Sequence, residues 1–453
     1  MTAAILTNAL SKNSPHVEMD ERLQSLKDQA LVGKVEDGIL LAKQERSEKL
    51  LADLRLPSRR DEEWQFTDLT NLKEVDFSAA QKVDLDVATA ENFYLPEASH
   101  SRLVFVNGFF SAELSDISDL PDSIICGAWA NLPLNQREKL DHYLAQQVDI
   151  DNVFSNLNTA GLKDSAIVSI STNVELEIPI HCLFLTVADP TPMLVQPRLL
   201  VVAESNAKLT IVESYGAITS NCTDRPQQQP YFNNIVSEIY LGENARVTHV
   251  RNQRDSGDGF HIATTAIAQG KQSRYQLIDV NLGAKLSRHS LQMVQEGEAT
   301  ETEFLALTTL AGRQVSDTHS TIALNHPHGI TNQLHKCIVD EHAQAVFSGK
   351  VLVPQAAQLT NAQQLNRNLL LSSKARINTK PELQITADNV KCSHGATVSQ
   401  LEADEVFYLR SRGLNDYDAR HLLIDAFAGE ILDQIPLASL RGRLRQCISC
   451  RTV

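Results

Sequence analysis

The 453-residue chain lacks several features that mark common classes of protein. Aromatic residues make up only 5% of it, and no apolar run approaches the roughly 18 residues of a membrane-spanning helix. The opening MTAAILTNALSKNSPHVEMDERL lacks the charged and apolar regions of a secretory signal. Its 41 basic and 56 acidic residues give a net charge of -15, which argues against nonspecific binding to nucleic acid or anionic membranes. We therefore expect a soluble, cytoplasmic protein with no nucleic-acid or membrane partner.

The chain also lacks a disulfide framework and the motifs of common catalytic sites. Its cysteines are odd in number and scattered, which indicates reduced thiols: Cys126, Cys182, Cys222, Cys337, Cys392, Cys447 and Cys450. No GxxxxGK[ST], GxSxG or strand-linked GxGxxG motif is present. The chain itself is therefore not expected to be an ATPase.

Residues 1–165 form a mixed, mostly helical region. Leucines at helical spacing predict two helices between Met19 and Leu56, where Pro57 ends the pattern. The following PSRRDEEWQF fits either a nucleotide or anion site or a solvated helix start with Trp64 as an aromatic anchor. Apolar segments such as LVFVNGFF then alternate with turns, which completes an N-terminal helical (α/β) domain.

From residue 166 to about residue 400 the pattern changes to short β-strands. Segments rich in Val, Ile, Leu and Thr recur, among them AIVSIS, RLLVVAE, KLTIVES and RYQLIDV, and glycines punctuate them. The spacing is irregular and shows no strict repeat. The residues therefore predict an all-β core domain and leave a sandwich, a barrel and a solenoid open.

Residues 401–453 are predicted to form a C-terminal helical domain. Asn415 is a plausible N-cap, and Ala419, Leu423, Phe427 and Ile431 follow at helical spacing. This apolar stripe is expected to pack against either a partner or the chain's own β-domain. Cys447 and Cys450 form a lone CxxC, which supplies only half of a closed zinc site and is expected to be idle.

Cys392 and His394 are the strongest candidate site residues. They follow the alternating segment around Leu383, and their spacing places both on one face of a continuing strand. A thiolate and an imidazole are ligands for iron, zinc or copper(I), although two ligands do not complete a site. The alternative is burial of both inside the β-domain, because apolar residues such as Val390 and Val398 share their face.

A second possible metal site lies in NHPHGITNQLHKC. His326, His328, His335 and Cys337 fall within 12 residues, in two pairs with strand spacing. The alternative is that the first two histidines lie exposed in a turn that contains Pro327.

Three segments resemble the SufB/SufD scaffold family of iron–sulfur cluster assembly: LPSRRDEEWQF, the stretch from VFSGKVLVPQ through INTKPELQITADNVKCSHGATV, and FYLRSRGL. The residues of SHGAT and FYLRSRGL are more similar to the SufD branch of the family than to the SufB branch. The resemblance implies a mainly β fold, a right-handed parallel β-helix core with helical N- and C-terminal domains. It also implies a scaffold rather than an enzyme. The alternative is a polysaccharide-acting β-helix enzyme, for which the strand segments show no acidic cluster.

The resemblance further implies partners and a site. The expected function is that of a non-catalytic component of a SufBCD complex, with SufC, an ABC-type ATPase, bound through the C-terminal helical region and SufB through the end of the β-helix. His394 matches the family's functional histidine and is implied as an iron or cluster ligand at the SufB contact, and Cys392 is adjacent with less support. The iron–sulfur cluster or iron is expected to be transient, with none bound tightly by the isolated chain, which is a possible homodimer.

Overall fold

The computed structural model describes residues 20–33, 35, 37–147, 152–219, 226 and 228–451. The chain is mainly β, with 40% strand and 23% helix, and its core is a parallel β-solenoid of about eight turns with helices at both ends. The mainly β fold with a parallel solenoid core, which the resemblance implied, is confirmed. Among the described residues no helix is long and apolar enough to span a membrane.

The N-terminal region combines short helices with strands that join the core. Asp20 and Asp37 begin the first two helices, since their side chains accept hydrogen bonds from the backbone of the first turn. The helices are α1 (Glu21–Ala30), α2 (Gly38–Leu51), α3 (Thr70–Lys73), α4 (Val87–Glu91), α5 (Leu134–Leu140) and α6 (Val153–Ala160), with 3-10 turns at Glu62–Trp64, Pro96–Ala98 and Trp129–Asn131. The strands are β1 (Ser78–Ala79), β2 (Arg102–Val106), β3 (Phe109–Phe110) and β4 (Ile124–Ala128).

Seventeen further strands form the rest of the solenoid. The strands are β5 (Ala166–Ile170), β6 (Ile180–Val187), β7 (Met193–Val195), β8 (Arg198–Ala203), β9 (Lys208–Ile218), β10 (Tyr231–Leu241), β11 (Arg246–Asp255), β12 (Phe260–Gln269), β13 (Arg274–Gly283), β14 (Leu286–Gln295), β15 (Glu301–Leu310), β16 (Val315–Ala323), β17 (Ile330–Val339), β18 (Gln344–Val353), β19 (Asn361–Leu370), β20 (Arg376–Ile385) and β21 (Lys391–Gln400).

From β8 onward the strands alternate between two parallel sheets. One sheet runs β20-β18-β16-β14-β12-β10-β8-β5-β4, and the other runs β21-β19-β17-β15-β13-β11-β9-β6-β2-β3. Register partners are 26 residues apart between Phe260 and Leu286 but 32 apart between Gln344 and Arg376. Because the turns differ in length, the sequence has no strict repeat even though the strands stack in register.

One corner of the solenoid is built by a left-handed residue in each turn. These residues have φ between 56° and 63°, and they are Asn173, Asn206, Asn244, Gln272, Ala299, His328 and Leu359. Asn206 and Asn244 each donate their backbone N–H to a carbonyl of the following turn at 2.8 Å. The side chains of the three asparagines also form a hydrogen-bonded ladder with spacings of 2.8 and 2.9 Å. Asparagine tolerates this conformation better than most residues, so the ladder stabilises the corner.

The interior of the middle turns contains buried charges as well as an apolar core. Arg251 donates a 3.0 Å hydrogen bond to Asp279, and His289 lies 2.9 Å from the other oxygen of that carboxylate. Burial opposes ionisation of Asp279, but Arg251 and His289 outweigh it and hold its pKa well below the usual range. A second pair joins His249 to Glu213 at 2.8 Å. These side chains are almost fully buried, so each charge depends on its partner.

Strands of the N-terminal region are continuous with the core sheets. Strand β2 pairs with β6, β4 pairs with β5, and β1 pairs with β7. The division into residues 1–165, 166–400 and 401–453 therefore stays a prediction. Strand β7, within the segment 188–197, is ordered by its pairing with β1 and β10.

The C-terminal helices are α7 (Ala403–Ser411), α8 (Asp416–Leu432) and α9 (Ala438–Arg451). Asn415 caps α8, as predicted, by accepting a 2.8 Å hydrogen bond from the N–H of Asp418. The apolar stripe of α8 faces the chain's own solenoid: Ala419 and Ile431 are fully buried, and Lys336 of β17 donates to the carbonyl of Phe427 at 2.7 Å. Of the two alternatives for this stripe, packing against the β-domain is the one observed.

Candidate functional site

The last turn of the solenoid forms an open end. Strands β20 and β21 are the terminal strands of the two sheets, so each has a hydrogen-bonded neighbour on one side only within the described chain. All residues of β21 are exposed except Cys392 and Gly395, which are half-buried. Val398 is 53% exposed and Ile385 of β20 is 37% exposed. An edge with apolar side chains and unpaired backbone groups is suited to pairing with another chain.

Cys392 and His394 both lie on this terminal strand, two residues apart and on one face. Cys392 is opposite Ala362 and packs partly against the main apolar core. Burial raises the pKa of its thiol, while a hydrogen bond with the backbone of Ala362 acts in the opposite direction. His394 is exposed. The alternative of two buried core residues therefore applies only in part to Cys392 and does not apply to His394.

Three buried amides lie beneath β21, and the sequence analysis missed them. Gln364, Asn366 and Asn368 of β19 are opposite His394, Ala396 and Val398. At most 2% of each amide residue is exposed. The only trace of these residues in the sequence is the alternation of amides in QQLNRN. In most strands such alternation indicates a solvent-facing surface, so it did not predict burial.

These amides are joined into short hydrogen-bonded chains. Gln364 Nε2 donates to Gln333 Oε1 at 2.9 Å, and Gln333 Nε2 donates to Ser320 Oγ at 2.8 Å. Asn368 donates to Asn366 Oδ1 at 2.6 Å. In the described part of the chain, Gln364 Oε1 and Asn368 Oδ1 are buried without a hydrogen-bond partner.

The residues of the second candidate metal site are separated by the fold. His326 and His328 are exposed near the left-handed corner, whereas His335 and Cys337 are buried inside the solenoid. Burial lowers the pKa of His335 to about 4 and raises that of Cys337 to about 12. Across the described residues, no group of three or more His, Cys, Asp or Glu side chains is placed to hold a metal ion.

The other cysteines that the structure describes lie in no group of three or more potential metal ligands. Cys447 is half-buried and Cys450 is exposed on α9, while Cys182 is buried in the core. Cys222 lies outside the described residues.

Four large apolar side chains on two consecutive C-terminal helices are exposed. They are called here the aromatic patch and are Phe407 and Tyr408 on α7 and Tyr417 and Leu422 on α8, with exposures of 71, 57, 50 and 49%. Large exposed apolar side chains are candidates for contact with another protein. The patch is separate from the buried stripe of α8.

A groove of about 760 Å³ lies between the segment 53–66 and the outer face of one sheet. Trp64 acts as the predicted anchor: its ring lies 3.9 Å from Arg288, which is ion-paired with Asp317. Lys350 and Lys380 of the same groove pair with Glu382 and Glu62. These pairs occupy carboxylates that glycoside chemistry requires as a free acid and base, so the groove does not favour the polysaccharide alternative.

Comparisons with known protein families assign both the N-terminal region and the solenoid to one family. Residues 184–427 match the family model described as SUF system FeS cluster assembly, SufBD core domain, and residues 26–182 match the SufBD protein N-terminal region.

Individual relatives extend the match over the whole chain. An iron-sulfur cluster assembly SufBD family protein of Synechocystis sp. is 78% identical over all of both chains. The Arabidopsis thaliana protein ABCI7, chloroplastic, is 34% identical and covers 86% of this chain and 81% of its own. The iron-sulfur cluster assembly protein SufD of Escherichia coli is 28% identical over 84% of this chain and 85% of its own. The chain therefore belongs to the SufBD family of iron–sulfur cluster assembly proteins of the SUF system.

Proposed function

We propose that this chain is the SufD-type, non-catalytic scaffold component of a cytoplasmic SufBCD complex that assembles iron–sulfur clusters. The observation that carries the proposal is the open end of the solenoid. It combines two unpaired strand edges with an exposed imidazole and a half-buried thiol, which are suitable ligands for iron. Iron and the cluster are cargo in this function, held transiently and passed on.

The open end is proposed to bind SufB by strand addition. Strands β20 and β21 would continue across the interface, so that their unpaired backbone groups gain partners and Ile385 and Val398 are buried. In the absence of SufB, the same edge would allow a homodimer of the isolated chain. Both arrangements place the last turn, and with it His394, at the contact between two chains.

The aromatic patch is proposed as the surface for SufC. The stripe of Ala419 and Ile431 is buried against the solenoid, so the docking surface must be formed by the side of the helices that is exposed. Aromatic side chains carry much of the energy of protein interfaces. Phe407→Ser is expected to reduce co-purification of SufC about 10-fold or more, whereas Val32→Ser, at a 47% exposed valine of the N-terminal region, should leave it unchanged.

His394 is proposed as the iron ligand of the site, with Cys392 in a lesser role. A neutral imidazole supplies a nitrogen ligand without first losing a proton. The thiol of Cys392 must lose its proton before it binds iron, and its raised pKa opposes this step. The proposal therefore ranks the two residues in the same order as the resemblance did.

Cluster reconstitution in the assembled complex tests the proposal. The chain is co-expressed with SufB and SufC, and the iron–sulfur cluster formed per complex is measured by its absorbance and by iron and sulfide content. His394→Ala should give normal co-purification and normal thermal unfolding but a reduced cluster yield. Cys392→Ser should be milder.

The matched control is His326→Ala, which removes an exposed histidine outside the terminal strand β21. Its cluster yield should equal that of the unchanged chain. A normal yield with His394→Ala, or a loss that unfolding fully accounts for, would remove the ligand assignment. Failure of the chain to co-purify with either partner would remove the complex itself.

A further inference from the structure

Gln364 lies directly next to His394 in the stack of strands. The two residues are register partners on β19 and β21, and 2% of Gln364 is exposed, whereas His394 is exposed. Register partners on parallel strands project from the same face, with the strands about 4.8 Å apart. Gln364 is therefore the buried neighbour of the imidazole within one column of side chains.

The orientation of the Gln364 amide is set from the preceding turns. Its Nε2 donates to Gln333 Oε1 at 2.9 Å, and Gln333 in turn donates to Ser320 Oγ at 2.8 Å. Since the amide nitrogen points to the preceding turn, the carbonyl oxygen is turned away from it. Gly349 leaves room for this amide, because a Cβ at that position would lie 2.3 Å from Gln364 Nε2.

The carbonyl oxygen of this fixed amide is an unused acceptor. Gln364 Oε1 is buried and has no hydrogen-bond partner among the described residues. An unsatisfied buried acceptor of this kind is unfavourable, so the site is suited to a donor that comes from the following turn. His394 is the next side chain in the column, so its exposed imidazole is the donor of the following turn that lies in register with this oxygen.

We propose that Gln364 is a positioning residue for His394: its Oε1 accepts a hydrogen bond from one imidazole N–H and leaves the other ring nitrogen free at the open end. A neutral imidazole has one donor and one acceptor nitrogen, so fixing the donor selects the tautomer. Metal-binding histidines are commonly oriented by such a bond to a carbonyl oxygen. The inference rests on the proposed role of His394 as an iron ligand.

The tautomer of His394 tests the inference in the full chain without any metal. The chain is labelled with ¹⁵N-histidine, and the ring nitrogen signals of His394 are identified by their absence from the His394→Ala spectrum. The unchanged chain should show the two well-separated nitrogen signals of a single neutral tautomer. Gln364→Met, which keeps the length of the side chain and removes the acceptor, should move both signals towards the average of two tautomers.

Two further variants separate positioning from a general loss of packing. Gln364→Glu keeps an acceptor, and the Gln333 amide can turn over and donate to the new carboxylate. Because a carboxylate favours the protonated form of a neighbouring imidazole, the spectrum of this variant is recorded at alkaline pH, where it should keep the single neutral tautomer. Asn368→Leu removes the other amide of the same strand whose oxygen is unpartnered; this amide lies beneath Val398 instead of His394, and its nitrogen donates to the carbonyl of Thr397. It should leave the His394 signals unchanged. Averaged signals with Gln364→Glu, or a shift with Asn368→Leu as large as with Gln364→Met, would overturn the inference.

The assembled complex supplies the functional measurement. Gln364→Met should lower the cluster yield about 10-fold at equal SufB and SufC content, and Gln364→Glu should restore most of it. Unchanged nitrogen signals with Gln364→Met would overturn the positioning role, whatever the yield. A normal yield with His394→Ala would instead remove the ligand role of His394, while the nitrogen signals would still show whether the hydrogen bond exists.

Discussion

The middle turns of the solenoid and its last turn use polar residues in opposite ways. In the middle turns, Arg251 pairs with Asp279 and His249 pairs with Glu213, and all four side chains are completely buried inside the core. In the last turn, nearly all of β21 is exposed, and the polar residues beneath it are uncharged amides, two of which have unused acceptors. The corner built from residues with positive φ also differs between the two regions. In the first turns it consists of hydrogen-bonded asparagines, whereas near the open end it contains Leu359.

The middle turns therefore contribute mainly to stability, and the last turn contributes mainly to binding. A buried ion pair costs desolvation energy that only complete pairing offsets, so the middle turns are committed to one arrangement. The last turn leaves edges, acceptors and apolar side chains unsatisfied, which is unfavourable in the isolated chain and becomes favourable when a partner covers them. The difference can be tested by substitutions in each region.

Removal of a charge from the middle turns should have the largest effect on stability. Arg251→Met removes the buried guanidinium that pairs with the Asp279 carboxylate and leaves His289 as the remaining side chain within 2.9 Å of it, so the free energy of unfolding should fall by about 3–5 kcal/mol. Urea denaturation followed by circular dichroism measures it. The control Arg367→Met, at a 45% exposed arginine paired with Glu430, should cost under about 1 kcal/mol. Equal losses for both would contradict the comparison.

Mild acid should have the second-largest effect on stability. Burial lowers the pKa of His335 to about 4 in the folded chain. As the pH falls, this histidine is therefore protonated in the unfolded state before it is protonated in the folded state. Its contribution is complete above the unfolded pKa of about 6.5 and is lost as the pH falls towards 4, which amounts to about 2 kcal/mol between pH 7.5 and pH 5. His335→Phe should flatten the pH dependence of the urea midpoint by this amount.

The control for the pH measurement is Thr308→Val, which removes the hydroxyl 3.2 Å from His335 Nε2 and adds no titrating group. It should lower the stability by a similar amount at both pH values. A pH dependence unchanged by His335→Phe would show that other groups dominate this window.

Replacement of Leu359, the corner residue near the open end, should increase the stability of the chain by a smaller amount than the two losses above. Leu359 has φ 62° and is 50% exposed, and a leucine in this conformation costs about 1–2 kcal/mol. Leu359→Asn should raise the free energy of unfolding by about 1 kcal/mol. The reverse change, Asn206→Leu, should lower it by at least as much, because it also removes two amide hydrogen bonds of the ladder. Differential scanning calorimetry would detect both, and a loss with Leu359→Asn would show that the leucine has a packing role.

A charge on the open edge should have the smallest effect on stability and a large effect on assembly. Val398→Lys changes a 53% exposed side chain, so the free energy of unfolding should stay within about 0.5 kcal/mol. Lysine on an edge strand opposes strand addition, so co-purification of SufB should be lost while SufC still binds. Retention of SufB would place its contact elsewhere on the chain.

Much of the fold was predictable from local patterns and from the family resemblance. The helix N-cap at Asn415, the anchor at Trp64 and the strand that carries Cys392 and His394 were all identified, because caps and period-two alternation are local signals. Whether His394 binds iron stays a prediction. The sequence analysis missed the aromatic patch, because the exposure of apolar residues on a helix depends on which of its faces pack against the rest of the chain.

The sequence by itself determined the elements, their order and the membership of the family. The tertiary structure decided which polar residues are inside. In VTHVRNQRD, for example, His249 and Arg251 alternate as residues of a solvent-facing strand surface do, yet they are buried because they meet Glu213 and Asp279 on neighbouring strands of the stack. The same applies to Gln364, whose amide becomes significant only because β21 places His394 beside it. Strand spacing is a local property, whereas burial and pairing depend on the stacking of strands whose register partners are 26 to 38 residues apart.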